Sequence, residues 1–182
     1  KVLNPSGGKP RKFLLLEWLE GGLVNMISTS KGKDKLIRKL IPTHKSIPLN
    51  SVLRIATDLA NALNYLHNEV YPDVTIIHGQ IEPENIRFDR DGNVKLIGFR
   101  SSTCMRKRLT LKGYPVLENR GTLRYTPPEV ALRLSYSEKS DIYQFGIVLW
   151  QIARDKVPFL GLTRTEYLDR VVYGGERPKV DK

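Results

Sequence analysis

Two short runs, NIRF at residues 85–88 and NVKLIGF at residues 93–99, flank the pair Asp91-Gly92. Aspartate followed by glycine supplies the positive φ that a tight hairpin turn demands, and the runs on either side suit strands. A hairpin is therefore expected over residues 86–97. This feature limits the fold most, because strong helical patterns stand on both sides of it. Residues 48–67 place Val52, Ile55, Leu59, Leu63 and Leu66 at helical spacing, with Asn50 or Ser51 positioned as a cap. Residues 140–153 read as a second helix, apolar on most of its surface and so expected to be buried, with Asp141 near its start as a cap.

The rest of the chain is organised around these elements. Residues 1–12 read as a flexible lead, residues 13–19 as a strand, and Gly21-Gly22 as its break, with a short helix over residues 24–27. Residues 28–47 form a basic loop, long for a compact domain, and residues 101–128 a long irregular segment. A length of 182 residues with 40% hydrophobic content suits one domain with a real core. Apolar runs such as FGIVLW are too short to span a bilayer, and no apolar leader with a basic front is visible. Cys104 is alone, which excludes an internal disulfide and favours a reducing compartment, hence a cytoplasmic location. His44, His67 and His78 show no metal-ligand spacing. The net charge is +11, concentrated in residues 31–45 and 100–124. It permits an acidic partner, but no aromatic interleaving or nucleic-acid module accompanies it, so nucleic acid is a poor candidate.

The residues before and after the hairpin carry the chemistry. His78-Gly79-Gln80-Ile81-Glu82-Pro83-Glu84-Asn85 resembles the protein-kinase catalytic loop H-R-D-L-K-P-E-N, with His78, Pro83, Glu84 and Asn85 matching in place. Gly98-Phe99-Arg100 stands at the place of D-F-G. FLLLEWLEGG at residues 13–22 resembles the strand and hinge leaving the small lobe, and GTLRYTPPE at 121–129 the end of the activation segment. SDIYQFGIVLW at 140–150 resembles the buried helix under the catalytic loop, and Pro158-Phe159 and Gly175-Glu176-Arg177-Pro178 match later landmarks. The matches follow family order, and the chain is identified as a member of the protein kinase superfamily, on its serine/threonine or tyrosine-kinase-like side. The resemblance implies an α+β fold: a mainly helical C-terminal lobe with short β-hairpins, the small lobe largely absent. It implies a partial domain over residues 13–182 that lacks the terminal helices and belongs to a longer protein.

The same resemblance shows what has changed. Kinase catalysis is mainly positioning and charge stabilisation around the transferred phosphoryl group. Gln80 occupies the place of the catalytic aspartate, and a neutral amide is no general base; that loss alone costs roughly 3–5 kcal/mol of transition-state stabilisation. Gly98 occupies the place of the magnesium aspartate and offers no side-chain oxygen. Asn85 remains as a metal ligand, but one amide oxygen is a poor anchor for magnesium. Glu82 stands in place of the catalytic-loop lysine; its plainer reading is a solvent-facing side chain. Glu17 and Leu19 in the hinge and Arg87 in the hairpin are the residues implied to line the nucleotide pocket, Arg87 replacing an apolar side chain and filling or blocking the floor. Gly79 replaces the arginine that grips a phosphate on the activation segment. His78, Phe99, Thr122, Glu129 and Asp141 match structural residues; in the family the aspartate at Asp141 holds the catalytic-loop backbone.

The reading that follows is a pseudokinase that acts by binding, scaffolding or allosteric regulation of a protein partner, with no cofactor expected. The alternative is an active protein kinase using ATP and magnesium on protein substrates, and a third reading is a basic nucleic-acid-binding module.

Overall fold

The computed structural model describes residues 17–24, 47–107, 114–115 and 122–180. The expected lead, most of the expected first strand, the short helix beyond Val24 and nearly all of the basic loop lie outside these residues.

Helix α1 spans Leu49–Asn64 and buries Val52, Ile55, Leu59 and Leu63, the stripe that its sequence period requires. Neither Asn50 nor Ser51 caps it. Pro48 holds the N-cap position, and its carbonyl accepts the N–H groups of Ser51 and Val52 at 2.9 and 3.0 Å. The chain continues as a π-helical stretch, Tyr65–Glu69, that buries Leu66 and His67.

Strand β1, Val74–Ile77, follows, and then the hairpin of β2, Ile86–Phe88, and β3, Val94–Leu96, in the register Ile86↔Leu96, Arg87↔Lys95, Phe88↔Val94. The hairpin is where the sequence put it, but its turn is wider than a two-residue Asp-Gly turn. Asp89 organises it: its carboxylate accepts from the N–H groups of Asp91 and Asn93 and from the Asn93 amide, and Gly92 takes φ +83°. Burial alone would raise the Asp89 pKa, but these hydrogen bonds, with Lys95 nearby, hold it below the ordinary carboxylate value. Two hydrogen bonds, Glu20 N to Phe88 O and Phe88 N to Gly21 O, tie residues 20–21 to the hairpin; among residues 17–21 no regular strand forms.

The described residues of the segment expected to be irregular contain two strands. β4, Thr103–Arg106, pairs antiparallel with β1, and β5, Tyr114–Pro115, pairs with β6, Ser135–Tyr136. A one-turn helix α2, Pro128–Ala131, precedes β6. Helix α3 spans Glu138–Arg154 and helix α4, Arg164–Glu166, runs into a second π-helical stretch, Tyr167–Tyr173.

Ser137, not Asp141, caps α3: its hydroxyl accepts from Lys139 N at 3.2 Å, and its own N–H donates to Ser140 Oγ at 3.2 Å. Nor is the buried side of α3 purely apolar. It carries Ile147, Val148 and Ile152 together with Ser140, Asp141, Gln144 and Gln151, while Ile142 is exposed. The apolar members pack with the α1 stripe, Ile81, Ile86 and Phe88 into one core; Asp141 and Gln144 face the segment between β1 and the hairpin, while Ser140 meets Glu129 and Gln151 meets Tyr125.

Candidate functional site

β1 delivers the chain at His78 into a turn that α3 supports from below. Asp141 is fully buried, and one carboxylate oxygen, Oδ2, accepts from His78 N at 2.9 Å and from His67 Nε2 at 2.9 Å. The other, Oδ1, accepts from Gly79 N at 2.7 Å. A carboxylate only accepts, so His67 carries its proton on Nε2. One turn further along α3, Gln144 Oε1 accepts Ile81 N at 3.0 Å and its amide donates to Gly79 O at 3.4 Å. Three backbone N–H groups of residues 78–81 therefore end on two side chains of one helix.

His78 is fully buried. Gln80 N donates to its Nδ1 at 3.2 Å, so Nε2 carries the proton and donates to Ile97 O at 2.9 Å. Its ring meets Phe99 edge-on, with centroids 4.8 Å apart. Phe99 itself is 44% exposed. Burial pushes the His78 pKa below its ordinary 6.5, against the Ile97 carbonyl and the Asp141 charge, which favour the protonated ring. The unfolded chain thus takes up this proton first as pH falls. Stability is complete above about pH 6.5 and declines below it. The urea midpoint is expected to drop from neutral pH to about pH 5.5, with a shallower drop in His78→Gln. An unchanged slope in that variant would assign the effect to another group.

Gln80, Asn85 and Gly98 are brought together. The Asn85 amide donates to Gln80 O at 3.0 Å, and Ile97 N donates to Asn85 O at 2.9 Å. Gly98 adopts φ +83°, and a Cβ there would lie 2.5 Å from Asn85 Cγ and 3.0 Å from its amide nitrogen. The Asn85 side chain fills the space that a side chain at residue 98 would need. Gln80 Oε1 accepts from Ser101 Oγ at 2.7 Å. Glu82 does not point to solvent: it is 8% exposed, and its Oε2 accepts Thr122 N at 3.0 Å. Glu129 accepts from Ser140 Oγ at 2.7 Å and so joins the start of α3.

The residues read as pocket-lining gather about the hairpin. Gly22 pairs with Arg87, whose side chain lies across it: a Cβ on Gly22 would meet the guanidinium at 3.2 Å. Ile86 and Phe88 are buried on the opposite face of β2, so the register places Arg87 away from the core. Glu17 is exposed and pairs with Lys95 at 3.4 Å, and Leu19 is half-buried. Hydrogen bonding to Glu17 raises the Lys95 pKa.

A phosphate-bound magnesium needs hard oxygen ligands, and a phosphoryl acceptor needs a base. The residues here do not fit that pair of demands. Gly98 supplies no side-chain oxygen, the Gln80 amide is neutral, and the Asn85 side chain is turned into the Gly98 space. No group of three or more His, Cys, Asp or Glu side chains able to hold a metal occurs among the described residues.

The profile of the protein kinase domain matches residues 11–174. The chain belongs to the protein kinase family. It is 32% identical over 133 residues to the serine/threonine/tyrosine-protein kinase HT1 of Arabidopsis thaliana, covering 73% of this chain and 32% of that protein. It is 33% identical over 163 residues to the dual specificity protein kinase shkC of Dictyostelium discoideum, covering 84% and 31%. It is 30% identical over 161 residues to a putative mitogen-activated protein kinase kinase kinase 7-like protein of Drosophila melanogaster, covering 87% and 35%. The chain thus spans about a third of the length of these relatives. Within this protein kinase domain, sequence reasoning singled out neither Gln144 nor Gln151 and assigned His67 and Ser101 no structural role, yet all four make side-chain hydrogen bonds that hold the site and the helix beneath it. The glutamines sit in a helical run read as apolar; polar residues recurring on that helix's buried face were the available signal. No described helix is long and apolar enough to cross a membrane.

Proposed function

We propose that this protein kinase domain does not transfer phosphate and works by binding a protein partner, as a pseudokinase in phosphorylation signalling. The observation that carries this reading is the state of residue 98. It has no side-chain oxygen, and the Asn85 amide occupies the space a longer side chain would take. Gln80, at the place of the general base, is a neutral amide engaged with Ser101. The net charge of +11 over the chain is compatible with an acidic protein partner.

The full-length protein, incubated with magnesium and radiolabelled ATP, is expected to transfer no phosphate to itself or to a generic protein substrate. Transfer above blank that disappears in Asn85→Ala would overturn the proposal. The second reading, an ATP- and magnesium-dependent protein kinase acting on protein substrates, is favoured by one finding: the relatives named above are all called kinases. The same assay decides between the two.

A further inference from the structure

Two of the four positions at which this catalytic loop departs from the family pattern hydrogen-bond to Ser101 and Thr122, the two ends of the stretch 101–122. We propose that Gln80 and Glu82 form a latch that holds Ser101 and Thr122, the two ends of that stretch, to the catalytic loop without a phosphate, with Glu82 as its positioning residue. The inference goes beyond the inactive-kinase reading and holds whether or not the domain transfers phosphate.

At the near end, Gly79 takes φ +76°, and a Cβ there would lie 3.4 Å from Ser101 O. Any L-residue would be strained in that conformation. Beside it, the Ser101 hydroxyl donates to Gln80 Oε1 at 2.7 Å. At the far end, the buried Glu82 carboxylate accepts Thr122 N at 3.0 Å. A lysine at residue 82, as in the family, has donors and no acceptor, so it cannot make this bond. The exchange of charge thus has a structural use: it turns a residue that would face phosphate into one that holds a backbone N–H. A charged acceptor makes the bond stronger than a neutral one.

Glu82 acts on more than one residue. Thr122 O accepts from Tyr125 N at 3.0 Å and from Thr126 Oγ1 at 3.3 Å. The Tyr125 hydroxyl donates to Gln151 Oε1 at 2.5 Å, and the Tyr167 hydroxyl donates to Thr126 O at 2.9 Å. Residues 122–126 are therefore a strip fastened to α3, to the second π-helical stretch and, through Glu82, to the catalytic loop. The latch sets the position of that strip relative to the loop.

The test is amide hydrogen exchange at Thr122 in the full-length protein. Glu82→Met keeps the volume and removes the acceptor, and Glu82→Lys restores the family residue. Both are expected to speed Thr122 exchange by about tenfold or more, while β1 and the middle of α3 keep their protection. Glu82→Gln, which retains an acceptor oxygen, should keep most of it. Unchanged exchange in the methionine and lysine variants would overturn the latch. Equal loss in the glutamine variant would overturn the role of the acceptor. Should both of the first variants fail to fold, Thr122→Pro removes the donor instead, at a residue whose φ of −80° suits proline. It should speed exchange at Tyr125 and Thr126; no change there would equally overturn the proposal.

Discussion

Replacing Asp141 with alanine is expected to remove about 3–5 kcal/mol of folding stability, because it strands buried donors rather than a solvated pair. The carboxylate takes the N–H groups of His78 and Gly79 and the Nε2–H of His67, and no water-exposed route replaces it at a residue with no exposed surface. A loss of that size is a large share of the roughly 5–15 kcal/mol that holds a typical domain together. Asp141→Asn is expected to lose less, since one amide oxygen still accepts, while its NH2 group faces a donor. Urea unfolding with an unchanged slope and a lowered midpoint checks this. Ile142→Ala, at the exposed neighbour, provides the control and should move stability by no more than about 0.5 kcal/mol. If Asp141→Ala behaves like that control, the carboxylate does not hold the loop.

Restoring the family aspartate by Gly98→Asp is expected to damage the domain rather than repair it. The new Cβ must enter space filled by the Asn85 amide, and a φ of +83° costs a residue with a Cβ about 1–3 kcal/mol, toward the lower end for aspartate, which tolerates left-handed backbone better than most. Asn85 would have to turn, which breaks its bond to Gln80 O and adds about 1 kcal/mol. The combined loss is roughly 2–4 kcal/mol. Gly98→Ala separates the causes: it carries the backbone and steric costs with no charge. Both variants should show lowered urea midpoints, and magnesium with ATP should not raise the melting temperature of Gly98→Asp. A stable aspartate variant with a clear nucleotide-dependent shift would show that the site is one substitution from competence.

Both effects rest on tertiary contacts, whereas the main elements of the fold were legible in the chain. The apolar stripe of α1 appeared at its sequence spacing, because helix period and burial on one face are the same fact seen twice. The hairpin appeared for the same reason, with Ile86 and Phe88 on the buried face. The caps were misplaced. Pro48 and Ser137, rather than Asn50, Ser51 or Asp141, begin the helices, since a cap depends on where the chain turns in and several neighbouring residues have suitable side chains. The pairing of β4 with β1 was hidden because no local pattern distinguishes a short, partly exposed strand from a loop until its partner is present.

At the candidate site, the sequence by itself determined which atoms exist: an amide at Gln80, no side chain at Gly98, a carboxylate at Glu82, and a motif order that places the chain in the protein kinase family. Tertiary structure alone decided what those atoms touch. Glu82 reaches Thr122 across 40 residues, Gln80 reaches Ser101 across 21, and Asp141 reaches back to His78 across 63. Residue type specifies whether a group donates or accepts, but not which of the many distant partners chain closure will bring within 3 Å, and a buried carboxylate reads in sequence just like an exposed one.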